Sequence, residues 1–487
     1  MKWSMLLFFV CLPALAEVPK TWDEKALADW AIPVTGLGAR PGHFSEREYY
    51  QTPVENVRSY TVYHPDREPA GYWEWLKKQR PEPLIEPQKL RTEGNWIQAG
   101  RRVFEELDAA DFRTADPEII KHARSREWLA EAGLRPQADG SLWDYRWVVT
   151  PRGVQLSFRE CGSCHTRHLP DGTAVHGAPL NRPGDGLGFE LFFAGLTKTV
   201  FAGDTLPMTL FRQYGVPWLK PDPHERLKTM DQAEIQEMFI SHIPGTFARF
   251  NGSPFYLTKM PDLIGLRDRK YIDHTGTHRH RGPGDVMRYA ALVDCCDVMD
   301  FGPHRMLSDQ QRVIRYHPPD EMLYALALYI YSLEPPANPY RADTRAPAGK
   351  AIFEREGCET CHTPPLYTNN KLTPALGFKP PKEHFQMMDI LDVTVGTDPN
   401  LALKTRKGTG YYKVPSLKGV WYRGLYLHDG AVASLEDLFN PDRLSDKYLP
   451  SGFRGHRVQT RAVPGHEFGL KLKLEEKASL LAFLRTL

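Results

Sequence analysis

Cys161-Gly162-Ser163-Cys164-His165 and Cys358-Glu359-Thr360-Cys361-His362 decide the reading of this chain of 487 residues. Two cysteines separated by two residues stand about one helical turn apart. Their sulfurs can therefore add to the two vinyl groups of one haem, and the next residue, histidine, meets the iron. A soft, neutral imidazole suits the proximal position, while thioether links hold the group irreversibly. A single CxxCH also fits half of a zinc site or a disulfide pair. Two copies in one chain point instead to two covalently bound haems c, held by Cys161, Cys164, Cys358 and Cys361, with His165 and His362 on the irons.

The flanks repeat along with the motifs. Ala99-Gly100-Arg101-Arg102-Val103-Phe104 and Ala348-Gly349-Lys350-Ala351-Ile352-Phe353 each open a helical pattern ahead of a CxxCH. At the far ends Ala325-Leu326-Ala327-Leu328-Tyr329 parallels Ser479-Leu480-Leu481-Ala482-Phe483, both apolar and helix-forming. The prolines of Glu334-Pro335-Pro336-Ala337-Asn338-Pro339 stop the first copy and make a short, stiff linker. The expected fold is mainly α: two cytochrome c-like haem domains with long irregular loops, a longer one at 96–336 and a compact one at 337–487. Residues 17–95, rich in proline and aromatics without clean periodicity, read as an N-terminal extension wrapping the core.

Lys2, the apolar stretch from Met5 to Leu12 and the exit Ala14-Leu15-Ala16 read as a secretory signal over residues 1–16, with an uncleaved anchor as the alternative. No later stretch offers the roughly 20 apolar residues of a membrane span. The expected location is therefore the periplasm or the exterior. Sixty-two basic against 60 acidic residues, without a long run of one sign, exclude nucleic acid as a partner. Of seven cysteines, one leaves with the signal and four belong to the motifs. Cys295 and Cys296 remain, either as reduced buried thiols or as a redox-active vicinal disulfide.

Cys161 and Cys358 are 197 positions apart, far more than a small cytochrome unit requires. The interval holds the densest histidine cluster, His274, His278 and His280. These are candidate acid–base groups on the distal side of the first haem. The same stretch also reads as a solvated loop pairing with haem carboxylates. For the second haem the sixth ligand is expected between the motif and the last helix. His466, flanked by Gly465 and Gly469, is favoured, and His428 is the alternative, otherwise orienting a propionate or a loop. No methionine follows His428, and bis-histidine ligation would give a lower potential than histidine with methionine.

Gly357-Cys358-Glu359-Thr360-Cys361-His362, Val414-Pro415-Ser416-Leu417-Lys418-Gly419-Val420, Leu427-His428-Asp429-Gly430 and Ser434-Leu435-Glu436-Asp437-Leu438 resemble the bacterial dihaem cytochrome c peroxidases and their relatives. These relatives include the dihaem enzyme that matures the quinone of methylamine dehydrogenase. Within the group, the long interval and Gly465-His466-Glu467-Phe468-Gly469 look more like the dihaem rubber oxygenase branch. That branch implies a first haem that binds dioxygen without a protein ligand on its distal side and a second haem with two histidines. The resemblance also implies a calcium ion between the domains and a small redox protein as electron partner. Three functions follow as expectations: a dihaem oxidoreductase activating peroxide or dioxygen at His165 and moving electrons through His362, an electron carrier without substrate, and a dioxygenase cleaving polyisoprenoid-like alkenes.

Overall fold

A computed structural model describes residues 17–183, 187–188, 190–192, 194, 204–297, 300–307 and 312–487. The expected export signal, residues 1–16, lies outside them. Four helices frame the two halves: α1 (Glu93–Glu106) with α3 (Asp320–Tyr331), and α4 (Ala346–Arg355) with α5 (Leu474–Thr486). Between the members of the first pair lies α2 (Pro283–Ala291), which packs on α3. Thr92 caps α1 in a reciprocal capping box with Asn95, satisfying amides that the first turn leaves without partners. In α1 the buried residues Gly100, Val103 and Phe104 recur at helical spacing, so one stripe faces inward. Helix α3 is apolar nearly all round because it is covered on several sides, by α1, by α2 and by the N-terminal segment. Trp22, Trp30, Phe44 and Tyr49 share its core.

The two helix pairs cross by the same device. A methyl group on Gly100 would overlap the carbonyl oxygen of Ala325 and lie 2.7 Å from Cβ of Tyr329. One on Gly349 would overlap the carbonyl oxygen of Ser479 and lie 2.7 Å from Cβ of Phe483. Only glycine lets the backbones approach so closely, and an aromatic ring fills the space beside each contact.

The first half carries additional structure that the helical pattern does not announce. Strand β1 (Ser59–Tyr63) pairs antiparallel with β2 (Ser141–Thr150), which forms a hairpin with β3 (Gly153–Phe158). Residues of the N-terminal stretch thus complete a sheet whose other strands lie between α1 and the first CxxCH. Arg146 of β2 is buried against Ser59, with Nε on its hydroxyl at 2.8 Å and Nη2 on its carbonyl at 3.0 Å. In the second half β4 (Leu372–Pro374) pairs with β5 (Tyr411–Lys413), leading the chain into the site. Among the described residues no helix is long and apolar enough to cross a membrane.

The helix crossings generate a direct test. Gly100→Ala and Gly349→Ala are each expected to cost about 3 kcal/mol in denaturant unfolding, by overpacking. Gly94→Ala, in the open first turn of the same α1, should instead be neutral or gain up to ~1 kcal/mol. Equal effects at Gly94 and Gly100 would contradict the close crossing.

Candidate functional site

The second CxxCH follows α4 directly. Gly357, at φ +72°, ends the helix and starts a tight turn over Cys358–Thr360. Both thiols are free, and burial raises their pKa, that of Cys358 to about 11. Nδ1 of His362 lies 3.1 Å from the carbonyl oxygen of Pro415 and 3.2 Å from that of Tyr367. A carbonyl can only accept, so Nδ1 carries the proton and Nε2 is left as a free donor of its lone pair. Burial lowers the pKa of this imidazole, which favours the neutral ligand form.

Cys358, Cys361 and His362 line a cavity of about 380 Å³. Its walls are largely apolar, with Phe353, Val395, Leu417, Leu435 and Leu480 among them. His466 lines the same cavity. An imidazole nitrogen bonds a transition metal at about 2 Å and lies roughly 1.1 Å from its ring centre, so two imidazoles on one metal stand about 6.3 Å apart. The rings of His362 and His466 are 6.4 Å apart.

That placement is built by the backbone. His466 sits at φ +48° after Gly465 at φ +77°, and a side chain on Gly465 would collide with the backbone of Gly396 and Thr397. The buried guanidinium of Arg443 holds the loop by donating Nη2 to the carbonyls of Gly465 and His466, each at 2.8 Å. His466 is pushed down to about 4 by burial and then by His362, so it too stays neutral. His428 lines the same cavity, but its ring stacks on Tyr412 at 4.1 Å and its Nε2 meets the Tyr412 hydroxyl at 3.1 Å. It is a neighbour of the His362–His466 axis and already has a partner.

The first CxxCH forms a single helical turn, Cys161–Cys164, with His165 at its end. Gly162 lets the turn pack on α1, since a side chain there would meet the Phe104 carbonyl oxygen at 2.8 Å. His165 repeats the geometry of His362: its Nδ1 lies 3.1 Å from the carbonyl oxygen of Pro261, and burial lowers it to about 4. Cys164 is raised to about 12 by burial. Among the described residues no second imidazole ring stands against His165. The buried Arg249 is near enough for its charge to contribute, after burial, to the lowered His165 pKa. It is held by the Tyr289 hydroxyl and by Asp273 at 2.5 Å.

The three clustered histidines go to three different places. His274 lines the His362 cavity, its Nε2 3.0 Å from the Lys259 carbonyl. His278 is buried against Trp30 at 4.1 Å and Tyr289 at 5.5 Å, and its Nε2 has no partner. His280 is bound at both nitrogens, to the Arg269 carbonyl at 2.5 Å and the Tyr331 hydroxyl at 2.6 Å. Cys295 and Cys296 are free thiols with sulfurs 2.8 Å apart, both raised by burial. Among the described residues no group of three or more His, Cys, Asp or Glu is arranged to hold a metal ion.

The structure also exposes a duplication that the motifs alone do not reveal. Lys259, Pro261, Leu263, Gly265, Arg269, His274 and Gly276 recur, at a constant separation of 154 positions, as Lys413, Pro415, Leu417, Gly419, Arg423, His428 and Gly430. The conformations recur with them: Gly265 and Gly419 have φ +73° and +75°, and Asp273 and Leu427 have φ +68° and +61°. Each copy supplies the proline carbonyl that orients its own CxxCH histidine. The copies also bind each other crosswise. The Lys259 amide donates to the His428 carbonyl and the Lys413 amide to the His274 carbonyl, both at 2.9 Å. Comparing the sequence with itself at this separation would have found these residues.

No protein-family model matches the chain, and no curated protein does. Among solved structures, hydrazine synthase of Kuenenia stuttgartiensis pressurised with 20 bar xenon is similar at 17% identity and a TM-score of 0.29, over 50% of this chain and 77% of its own. A MauG-like protein associated with microbial copper homeostasis is similar at 20% identity and a TM-score of 0.21. That similarity covers 34% of this chain and 56% of the other.

Proposed function

We propose that this chain is an exported dihaem c-type oxidoreductase, related to the dihaem cytochrome c peroxidases. The observation that carries the reading is the 6.4 Å separation of His362 and His466 across an apolar cavity whose rim holds two free cysteines. Thiols, a neutral imidazole with its tautomer fixed, and a second neutral imidazole at metal-bridging distance form a donor set that fits a haem c held by two histidines. The same thiol and imidazole arrangement at Cys161, Cys164 and His165 fits a second. Haem iron supplies one-electron exchange and, where an axial position is open, binding of small oxidants such as peroxide or dioxygen.

The two sites then take different tasks. His466 closes the position opposite His362, which suits electron transfer and a small redox protein as partner. At His165 no second imidazole stands among the described residues, and the charge of the buried Arg249 acts on its ring. A buried guanidinium there can donate hydrogen bonds to an oxygen atom carrying negative charge. This asymmetry favours turnover at the first site over a pure electron carrier.

Protein produced with a c-type haem maturation system should carry two haems by mass. Cys161→Ala/Cys164→Ala and Cys358→Ala/Cys361→Ala should each remove one, and a mass without added haem would sink the reading. In the reduced protein carbon monoxide should bind one haem. His466→Ala should make the second haem bind it as well, whereas His428→Ala should leave the count at one. An unchanged count in His466→Ala would exclude His466 as a ligand.

A further inference from the structure

The crossed repeats meet at a centre with an excess of positive charge. Arg269 and Arg423 are equivalent, and each is occupied with backbone in the same way. Arg269 donates to the carbonyls of Asp262 and Ile264, and Arg423 to those of Ser416 and Lys418, the corresponding positions. Asp262 adds one carboxylate, 2.7 Å from Arg423 Nε and 3.9 Å from Arg269.

The equivalent lysines are not satisfied in this way. Lys259 Nζ donates to the Leu425 carbonyl at 2.9 Å and Lys413 Nζ to the Tyr271 carbonyl at 3.4 Å. Leu425 and Tyr271 are again corresponding positions, so each lysine reaches across into the other half. Among the described residues neither ammonium has a carboxylate within ion-pairing distance, and both side chains line the cavity that holds His362. Burial, and then the arginine of the opposite copy for each, lowers Lys259 to about 8 and Lys413 to about 7. Two buried cations beside two guanidinium groups oppose folding unless anions join them.

We propose that Lys259 and Lys413 form a carboxylate-binding centre between the halves that receives the propionate groups of the haems. The proposal rests on the dihaem reading and adds to it a role for the duplicated segments. The cavity is lined by apolar side chains together with Lys259, Lys413, Arg269 and Arg423, which matches an amphiphilic ligand that carries acids. Because each lysine is carried by one half and anchored on a carbonyl of the other, propionate binding would also tie the halves together.

The test is a redox titration of the holoprotein, followed by absorbance, for wild type, Lys259→Met, Lys413→Met and the corresponding arginine variants. Removing the countercharge of a carboxylate beside a haem favours the ferric state. Each methionine variant should keep two haems and shift at least one midpoint potential to lower values, while the arginine variants stay close to wild type. Resonance Raman of the wild-type protein supplies a check that needs no variant: the propionate bending band should lie where hydrogen-bonded carboxylates absorb. Two haems with unshifted potentials in both methionine variants, or a propionate band at the free position, would overturn this inference alone. A preparation without covalent haem would overturn the dihaem reading together with it.

Discussion

A hydrogen bond from Nδ1 of each CxxCH histidine to a proline carbonyl is the constraint on which the two sites depend. Pro261 receives His165 and Pro415 receives His362, both at 3.1 Å. A carbonyl cannot donate, so the bond fixes the tautomer, and it aims Nε2 away from the backbone. The imidazole then has one orientation and one free lone pair. Burial adds the second condition by holding both rings neutral. Neighbouring residues of the two segments help to place those carbonyls. The glycines at φ +73° and +75° turn the chain after each proline, and the arginines clamp the carbonyls that flank it.

From this shared geometry the halves diverge through what stands on the open side of the ring. In the second half a glycine that no other residue could replace, together with the buried guanidinium of Arg443, brings His466 to metal-bridging distance from His362. In the first half no second imidazole stands against His165 among the described residues, and the charge acting on its ring is that of Arg249, balanced by Asp273 and steadied by Tyr289. One CxxCH histidine faces a second imidazole, and the other has none against it among the described residues. Two differently completed sites therefore stand on one duplicated scaffold, with no change in how either imidazole is held.

Much of this was legible in the sequence wherever the signal was local. The two CxxCH runs, the helices that open and close each half and the glycine-flanked His466 are short patterns whose meaning does not depend on distant residues. What stayed hidden is long-range. Trp22, Trp30 and Tyr49 have no periodicity of their own because they fill a core built by α1 and α3, far along the chain. Strand β1 finds its partner β2 some eighty residues on, and local propensity does not report a pairing so distant in sequence. The repeat from Lys259 to Gly276 escaped because only scattered positions are shared, and because the first half carries extra chain between its CxxCH and this segment. The clustered His274, His278 and His280 read as one site, yet turn and hairpin geometry sends them to a cavity wall, an aromatic core and a fully bonded contact.

Electron paramagnetic resonance of the oxidised holoprotein tests the central claim, the inequality of two similarly held haems, most directly. One low-spin ferric signal is expected, from a haem between His362 and His466, together with one high-spin signal from a haem at His165. Two low-spin signals of equal intensity, or no haem signal at all, would contradict it.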